Sequence, residues 1–244
     1  MVSLSKIPTS SPKDFDKEKI KLKTNKLIEE IGEFQKVFYA SAQKGLLIIL
    51  QGLDASGKDG LISNVFHGVN PLGCTVYAFK APTEEERKYD FLWRVHKQVA
   101  AKGMIQIFNR SHYEDVLITR VEKLIDQKTA KKRFEYINNF EQMIVENGTI
   151  VLKFYLHISR EVQAERLLER ETNPEKFWKH NDADWKTNQK WRSYREVYED
   201  VFKYCNDPEW TIVPSDQNWY KEYIVAQKIY DTLKALKLRF PKMK

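Results

Sequence analysis

The segment Leu46–Gly60 limits the possible folds more than any other part of the sequence. Its first half, Leu46–Leu50, is a short aliphatic run, which is typical of a buried strand. Its second half places Gly52, Gly57 and Lys58 in the spacing G-x-x-x-x-G-K, directly before a predicted helix. Glycines at these positions let consecutive backbone N–H groups converge on a phosphate, and the lysine adds a mobile positive charge. The pattern therefore predicts a strand, a phosphate-binding loop and a helix. The alternative is a structural glycine turn with a surface lysine.

Two residues depart from the usual form of such a loop. The position after Lys58 usually carries Ser or Thr, whose hydroxyl binds magnesium, but here it is Asp59. A second carboxylate, Asp54, lies inside the loop, where it would repel phosphates unless a cation stood between them. We therefore predict that Asp54 helps to bind Mg²⁺. The alternative is a solvated Asp54 that caps the following helix.

The length and charge of the chain restrict its class and its partners. The 244 residues suffice for one α/β domain with an inserted or appended piece. The net charge of +7 makes an anionic partner plausible, without choosing among nucleic acid, nucleotide and another polyanion. Cys74 and Cys205 show no metal-ligand spacing, which favours a reducing, cytoplasmic setting. No apolar run is long enough to predict a membrane span. We expect residues 1–15 to be a flexible tail and residues 16–244 to be a single domain.

Strands and helices alternate along the rest of the chain, which predicts a parallel sheet of about five strands covered on both faces. The predicted strands are Leu46–Leu50, Cys74–Phe79, Met104–Phe108, Ile150–His157 and Thr211–Val213. The predicted helices outside the loop region are Lys17–Ala42, Thr83–Ala101, Lys131–Asn147 and Trp219–Leu238. The first three of these helix predictions depend on an apolar stripe at helical spacing.

The segment 160–205 is rich in charged and aromatic residues and follows the fourth strand directly. We predict that it forms a helical lid, which would exclude water during the transfer of a phosphoryl group. The alternative is an amphipathic helical pair whose tryptophans simply belong to the core.

Ligands of open α/β sheets bind outside the carboxyl ends of the strands. The residues predicted at that edge are Asp54, Lys58, Lys80, Asn109, Arg110 and Arg160. A carboxylate among several cations is suited to a highly phosphorylated ligand together with a metal. His112, next to this group, is interpreted as structural.

Five motifs in this order closely resemble those of the polyphosphate kinase 2 family. They are GLDASGKDG, FKAPTEEE with FLWR, IFNRSHYEDVL, NNFEQMIVENGTIVLKFYLHIS and WRSYREVYEDVF, and the resemblance extends from about Asp14 to Pro241. It implies a three-layer P-loop kinase fold with a helical lid at about 160–205. It also implies a homo-oligomer, dimer or tetramer, and transfer of a phosphoryl group from inorganic polyphosphate to a nucleotide with Mg²⁺. The HYED-type sequence resembles the subclass that acts on both nucleoside mono- and diphosphates.

The resemblance also implies the roles of individual residues. The catalytic residues would be Asp54, Lys58, Arg110 and Glu114. Phosphate or polyphosphate would contact Gly52, Ala55, Ser56, Gly57, Lys58, Asp59, Lys80, Arg110 and Arg120. Arg166 and Arg170 would close over the nucleotide from the lid. The metal ligands would be Asp54, Glu114 and Asn109, although well-known subclasses carry aspartate in place of Asn109 and asparagine in place of Glu114.

The predicted reaction is direct, in-line transfer of the terminal phosphoryl group of polyphosphate to ADP, and also to AMP, with GDP and GMP as further acceptors. Such a transfer needs positioning and charge neutralisation more than a covalent intermediate. The nearest alternative is an ATP-dependent nucleoside-monophosphate kinase of the thymidylate-kinase type. A different class is a non-catalytic nucleotide switch or nucleic-acid binder. The sequence shows no RNA-binding signature, so neither nucleic acid nor membrane is predicted as a partner.

Overall fold

The computed structural model describes residues 2–243 and arranges five parallel strands in one sheet. The strands are β1 (Gly45–Gln51), β2 (Cys74–Ala78), β3 (Ile105–Asn109), β4 (Thr149–His157) and β5 (Trp210–Pro214). The helices are α1 (Lys17–Ser41), α2 (Lys58–Val65), α3 (Trp93–His96), α4 (Glu114–Val121), α5 (Gln127–Glu146), α6 (Arg160–Thr172), α7 (Asp182–Gln189), α8 (Trp191–Tyr204) and α9 (Asn218–Ala235). The strand order β2-β3-β1-β4-β5 makes β1 the central strand. The predicted parallel sheet is confirmed.

The central strand shows why the domain has three layers. All seven residues of β1 are buried, because helices cover both faces of the sheet. Alternate side chains point to opposite faces: Leu46 and Ile48 pack with α1, α2 and α9, whereas Leu47 and Ile49 pack with α4, α5 and α8. The three-layer α/β fold predicted from the sequence is therefore confirmed.

The prediction of one helix over Thr83–Ala101 is wrong, although its start is right. Thr83 Oγ1 accepts a hydrogen bond from the backbone N–H of Glu86, and the carboxylate of Glu86 accepts one from the N–H of Thr83. This capping box opens only a 3-10 turn. Asp90 then accepts bonds from the N–H groups two and three residues later, at 2.9 and 3.1 Å. These local bonds compete with the helix, and the chain restarts as the short α3.

Residues 4–9 contact the rest of the domain. Leu4 is only 1% exposed, and its backbone N–H donates to Glu199 Oε1 at 2.7 Å. Its carbonyl lies 3.2 Å from His157 Nε2, and Thr9 Oγ1 donates to Asp216 Oδ2 at 2.6 Å. An apolar leucine and a few hydroxyls thus fix part of this polar segment against β4 and the chain after β5. The flexibility of residues 1–15, and a domain boundary at residue 16, stay predictions.

The segment predicted as a lid is helical, and it comprises α6, α7 and α8. Helix α8 contributes Tyr194, Tyr198 and Phe202 to the core, whereas Trp178 is 77% exposed. Tyrosines and phenylalanine, and not that tryptophan, therefore supply the apolar face. Whether the segment closes as a lid stays a prediction.

Candidate active site

The loop between β1 and α2 adopts backbone conformations that favour glycine. Gly57 has a φ of +91°, in the left-handed region, and a Cβ there would lie 2.2 Å from the buried Nζ of Lys221. Gly52 has a φ of +154°, and Ser56, which follows Ala55 in the loop, is fully buried. Helix α2 begins at Lys58, so its N-terminus points to the loop. The predicted strand, loop and helix are thus present. The two glycines lie in a tightly curved loop that is partly buried, and not in an exposed turn.

A polar cleft of about 300 Å³, here called the phosphate pocket, lies beside this loop at the carboxyl ends of the strands. The loop and α2 contribute Asp54, Ala55, Gly57, Lys58 and Asp59. Other elements contribute Lys80 after β2, Asn109 and Arg110 at the end of β3, and Arg170 from α6. The structure therefore brings together most of the residues predicted from the sequence.

Lys58 is held against the loop itself. Its Nζ donates to the backbone carbonyls of Gly52 and Leu53 at 2.8 and 3.1 Å. Burial and the nearby positive charge of Arg110 lower the pKa of Lys58 to about 8, although the surrounding carboxylates oppose this shift. An anion in the pocket would favour the protonated amine, so Lys58 is suited to neutralising phosphate charge.

Arg110 lies between two carboxylates. Its Nη2 donates to Asp54 Oδ1, and its Nη1 lies 3.6 Å from Glu114 Oε2. Burial raises the pKa of Asp54, but the charges of Arg110, Lys58 and Arg170 and a hydrogen bond with Thr187 together outweigh burial and hold that pKa below its ordinary value. Burial dominates at Glu114 and raises the pKa of that carboxyl, despite the charges of Arg110 and Lys58. Asp54 does not cap α2, because the N-cap is Gly57 and no side chain bonds there. The helix-cap alternative for Asp54 is therefore excluded.

The donor set of the pocket suits Mg²⁺. Asp54 and Asn109 line the pocket, and Glu114 lies beside it, 3.6 Å from Arg110 Nη1. All three offer oxygen ligands, and hard cations of this kind prefer oxygen. The amide nitrogen of Asn109 donates to Asp59 Oδ1 at 2.7 Å, which leaves its amide oxygen outside that bond. Within residues 2–243, no group of three or more His, Cys, Asp or Glu side chains could hold a metal. A Mg²⁺ ion would need only one or two carboxylates here, because in phosphate-transferring sites it completes its shell with phosphate oxygens and water.

Three predicted arginines lie outside the phosphate pocket. Arg120 donates to Asp200 Oδ2 at 2.7 Å and does not line the phosphate pocket. Arg166 also lies outside the pocket, and it donates to the backbone carbonyls of Ala55 and Asp216 at 3.1 and 2.8 Å. Arg160 lines a separate cleft near the N-terminal segment. A helical residue can face any direction, so sequence position alone does not tell which arginine reaches a ligand.

Two groups of residues at the site were not predicted from the sequence. Lys179, Asn181 and Asp184 line the phosphate pocket, and Asp184 Oδ2 accepts from Arg170 at 2.5 Å. Lys221 is 1% exposed, and its Nζ donates to the carbonyl of Gly57 at 3.2 Å. The sequence feature that indicates a buried Lys221 is its position on the apolar stripe of α9, four residues before the buried Val225.

Comparisons with known proteins agree with this geometry. The profile of the family described as polyphosphate kinase 2 matches residues 14–241. An AMP/ADP-polyphosphate phosphotransferase of Meiothermus ruber is 44% identical over 217 residues, which cover 88% of this chain and 81% of that protein. An ADP-polyphosphate phosphotransferase of Rhodopseudomonas palustris is 40% identical over 228 residues, which cover 88% of this chain and 79% of that protein.

Solved structures give the same result. The crystal structure of polyphosphate kinase 2 from Arthrobacter aurescens superposes with a TM-score of 0.96 at 36% identity, covering all of this chain and 89% of that one. The comparisons do not favour a kinase of the thymidylate-kinase type. With a profile match over nearly the whole chain and a P-loop kinase fold, the chain belongs to the polyphosphate kinase 2 family of polyphosphate:nucleotide phosphotransferases.

Proposed function

We propose that the chain transfers the terminal phosphoryl group of inorganic polyphosphate to ADP and to AMP, forming ATP from ADP, with GDP and GMP as further acceptors. The observation that supports this most directly is the phosphate pocket, where five cations (Lys58, Lys80, Arg110, Arg170 and Lys179) outnumber three carboxylates (Asp54, Asp59 and Asp184). An excess of positive charge beside carboxylates that could bind a metal suits a donor in which every unit is a phosphate. The Meiothermus relative, named for both AMP and ADP, supports the choice of acceptors.

A second cleft supplies room for the acceptor. It has a volume of about 680 Å³ and shares Phe79, Lys80 and Arg110 with the phosphate pocket. It continues past Glu114 to Ile118, and its lining combines apolar side chains (Phe79, Pro82, Ile118 and Leu124) with charged ones. A larger cleft with apolar and polar groups suits a nucleoside and its phosphates, whereas the smaller, highly charged pocket suits a chain of phosphates. We therefore assign polyphosphate to the phosphate pocket and the nucleoside to this acceptor cleft, with Arg110 between them.

The residues of the chain act by positioning and charge. Lys58 and Arg110 would hold oxygens of the transferred group, and Arg170 would approach from α6. Asp54, Asn109 and Glu114 would hold Mg²⁺, which supplies charge neutralisation at the phosphate oxygens. The attacking oxygen of a nucleotide phosphate is already anionic at neutral pH, so the reaction requires no strong general base.

Two variants separate the donor from the acceptor. Lys179 lines only the phosphate pocket of these two cavities, and Ile118 lines only the acceptor cleft. Steady-state kinetics with ADP, Mg²⁺ and polyphosphate would follow the formation of ATP. Lys179→Ala should raise KM for polyphosphate severalfold and leave KM for ADP within twofold, and Ile118→Ala should do the reverse. Equal shifts of both constants would contradict the assignment. Absence of polyphosphate-dependent ATP formation in the wild type would contradict the function.

Assembly and location remain proposals. We propose a homo-oligomer, which sedimentation equilibrium would test. Neither nucleic acid nor a membrane is proposed as a partner, and within residues 2–243 every helix is too short or too polar to cross a bilayer. We also propose a cytoplasmic location, a proposal supported by the absence of a disulfide, since Cys74 and Cys205 are both free.

A further inference from the structure

A buried ion pair lies next to the segment that carries the site residues after β3. Lys153 of β4 donates to Glu141 Oε2 of α5 at 2.6 Å, and both side chains are fully buried. The other carboxylate oxygen of Glu141 accepts from the hydroxyl of Tyr113 at 2.9 Å and lies 3.1 Å from His112 Nε2. Lys153 Nζ also donates to the Tyr113 hydroxyl at 3.1 Å. One buried pair thus bonds two of the three residues that lie between Arg110 and Glu114, namely His112 and Tyr113.

Arg110 needs such support because its backbone is strained. Its φ is +64°, in the left-handed region, where a residue with a Cβ is disfavoured. Strain of this kind persists only where the surrounding structure holds it. The N–H of Arg110 bonds to the carbonyl of Leu50 at 3.0 Å, and the next residue, Ser111, is fully buried, with its Oγ 2.9 Å from the side-chain amide of Gln51. The bonds of His112 and Tyr113 to the buried pair then fix the backbone that follows Ser111.

We propose that the Glu141–Lys153 pair is a positioning element for phosphoryl transfer. By bonding His112 and Tyr113, it holds Arg110 in the left-handed conformation that directs its guanidinium to Asp54. Two apolar side chains could fill the same space in the core, and buried ion pairs are often no more stabilising than such replacements. Apolar side chains would, however, leave the Tyr113 hydroxyl and the His112 ring without these bonds.

The pair also reaches the end of α8. Lys153 Nζ donates to the carbonyl of Cys205 at 3.0 Å, directly after that helix. The same carbonyl accepts from Trp210 Nε1 at 2.9 Å, so two donors hold the chain where it leaves α8. The pair therefore connects the residues after β3 to the end of α8. This helix closes the helical segment 160–205, whose first helix carries Arg170.

The test replaces the pair by apolar residues. Glu141→Leu/Lys153→Met should fold with a lower melting temperature than the wild type, because it leaves the buried Tyr113 hydroxyl and His112 ring without these bonds. Its kcat for polyphosphate-dependent ATP formation, measured well below that temperature, should fall at least tenfold, while both KM values change less than threefold. A double variant that folds and keeps its kcat within threefold of the wild type would overturn the proposal.

Two further variants keep the test decisive. Ile144→Ala removes buried apolar volume from the same helix and the same core, so it should lower the melting temperature and leave kcat within twofold. If it lowers kcat as much as the double variant, the pair has only a structural role. If the double variant does not fold, Tyr113→Phe decides, because it removes only the hydroxyl between Glu141 and Lys153. It should lower kcat at least threefold, and an unchanged kcat would overturn the proposal.

Discussion

Arg110, at the end of β3, and Asp54, in the loop after β1, form an ion pair across the phosphate pocket. The parallel register explains their meeting, since Leu50 of β1 lies opposite Asn109 of β3. The residues that follow both strands therefore emerge side by side, although they are 56 positions apart in sequence. Each side chain determines the electrostatic environment of the other, so a substitution at either position alters both.

Asp54→Asn should lower kcat at least tenfold, because it removes a carboxylate that we propose as a ligand of Mg²⁺. Excess Mg²⁺ should restore part of the loss, since a weakened ligand is offset by mass action. The measurement is kcat as a function of Mg²⁺ concentration, with thermal unfolding as the control for folding. An unchanged Mg²⁺ dependence would count against a metal role for Asp54.

The pH dependence of the free enzyme should report Lys58. Its pKa is about 8, so the amine is charged below that pH and loses its charge as the pH rises. We expect kcat/KM for polyphosphate to fall as the pH rises through about 8. Lys58→Ala should remove most activity at every pH, on the order of a hundredfold.

Lys58→Arg is the control for this profile, because arginine stays charged throughout the range. Whatever activity this variant retains should not decline near pH 8. A decline shared by the wild type and Lys58→Arg would assign the titration to another group or to the substrates.

Arg120→Ala should reduce stability and leave catalysis intact. Arg120 bonds Asp200, and its guanidinium carbon lies 5.8 Å from the centre of the Phe134 ring, away from the phosphate pocket. We expect a lower melting temperature with both KM values and kcat within threefold of the wild type. Asp200→Asn should reproduce this behaviour, whereas Arg110→Ala should abolish transfer. A large rise in the KM for polyphosphate in Arg120→Ala alone would restore the role implied by the resemblance.

Lys221 should make stability depend on pH. Burial, together with the charges of Arg166 and Lys58, lowers its pKa to about 7 in the folded state, from an ordinary value of 10.5. Between these values the unfolded chain binds more protons than the folded one, so the free energy of unfolding rises with pH. The slope from one such group reaches at most about 1.4 kcal/mol per pH unit.

Urea unfolding at pH 7, 8 and 9 would measure this slope. Lys221→Met keeps the length of the side chain and has no amine to titrate, so its slope should be smaller than that of the wild type. Equal slopes would show that Lys221 does not titrate in this range.

Local patterns predicted the fold well where they act within a few residues. The apolar run of β1, the glycine spacing after it and the lysine that begins α2 depend only on their neighbours in sequence. The prediction of a single helix over Thr83–Ala101 was wrong because a second local pattern competes with the helix there. The Thr83 cap was recognised, but the bonds of the Asp90 carboxylate to the following N–H groups supplied a competing local structure that an apolar stripe does not reveal.

The sequence by itself determined the class of fold, the phosphate loop and the family, because these follow from short spacings and from the order of motifs. Only the tertiary structure decided which cations reach the phosphate pocket, since it turned Arg170 toward the pocket, Arg120 toward Asp200 and Arg166 toward the loop backbone. It also placed Lys221 behind the loop and the Glu141–Lys153 pair beside Arg110. The physical reason is that these contacts join residues far apart in sequence. Their geometry depends on how each helix is rotated and packed against the sheet.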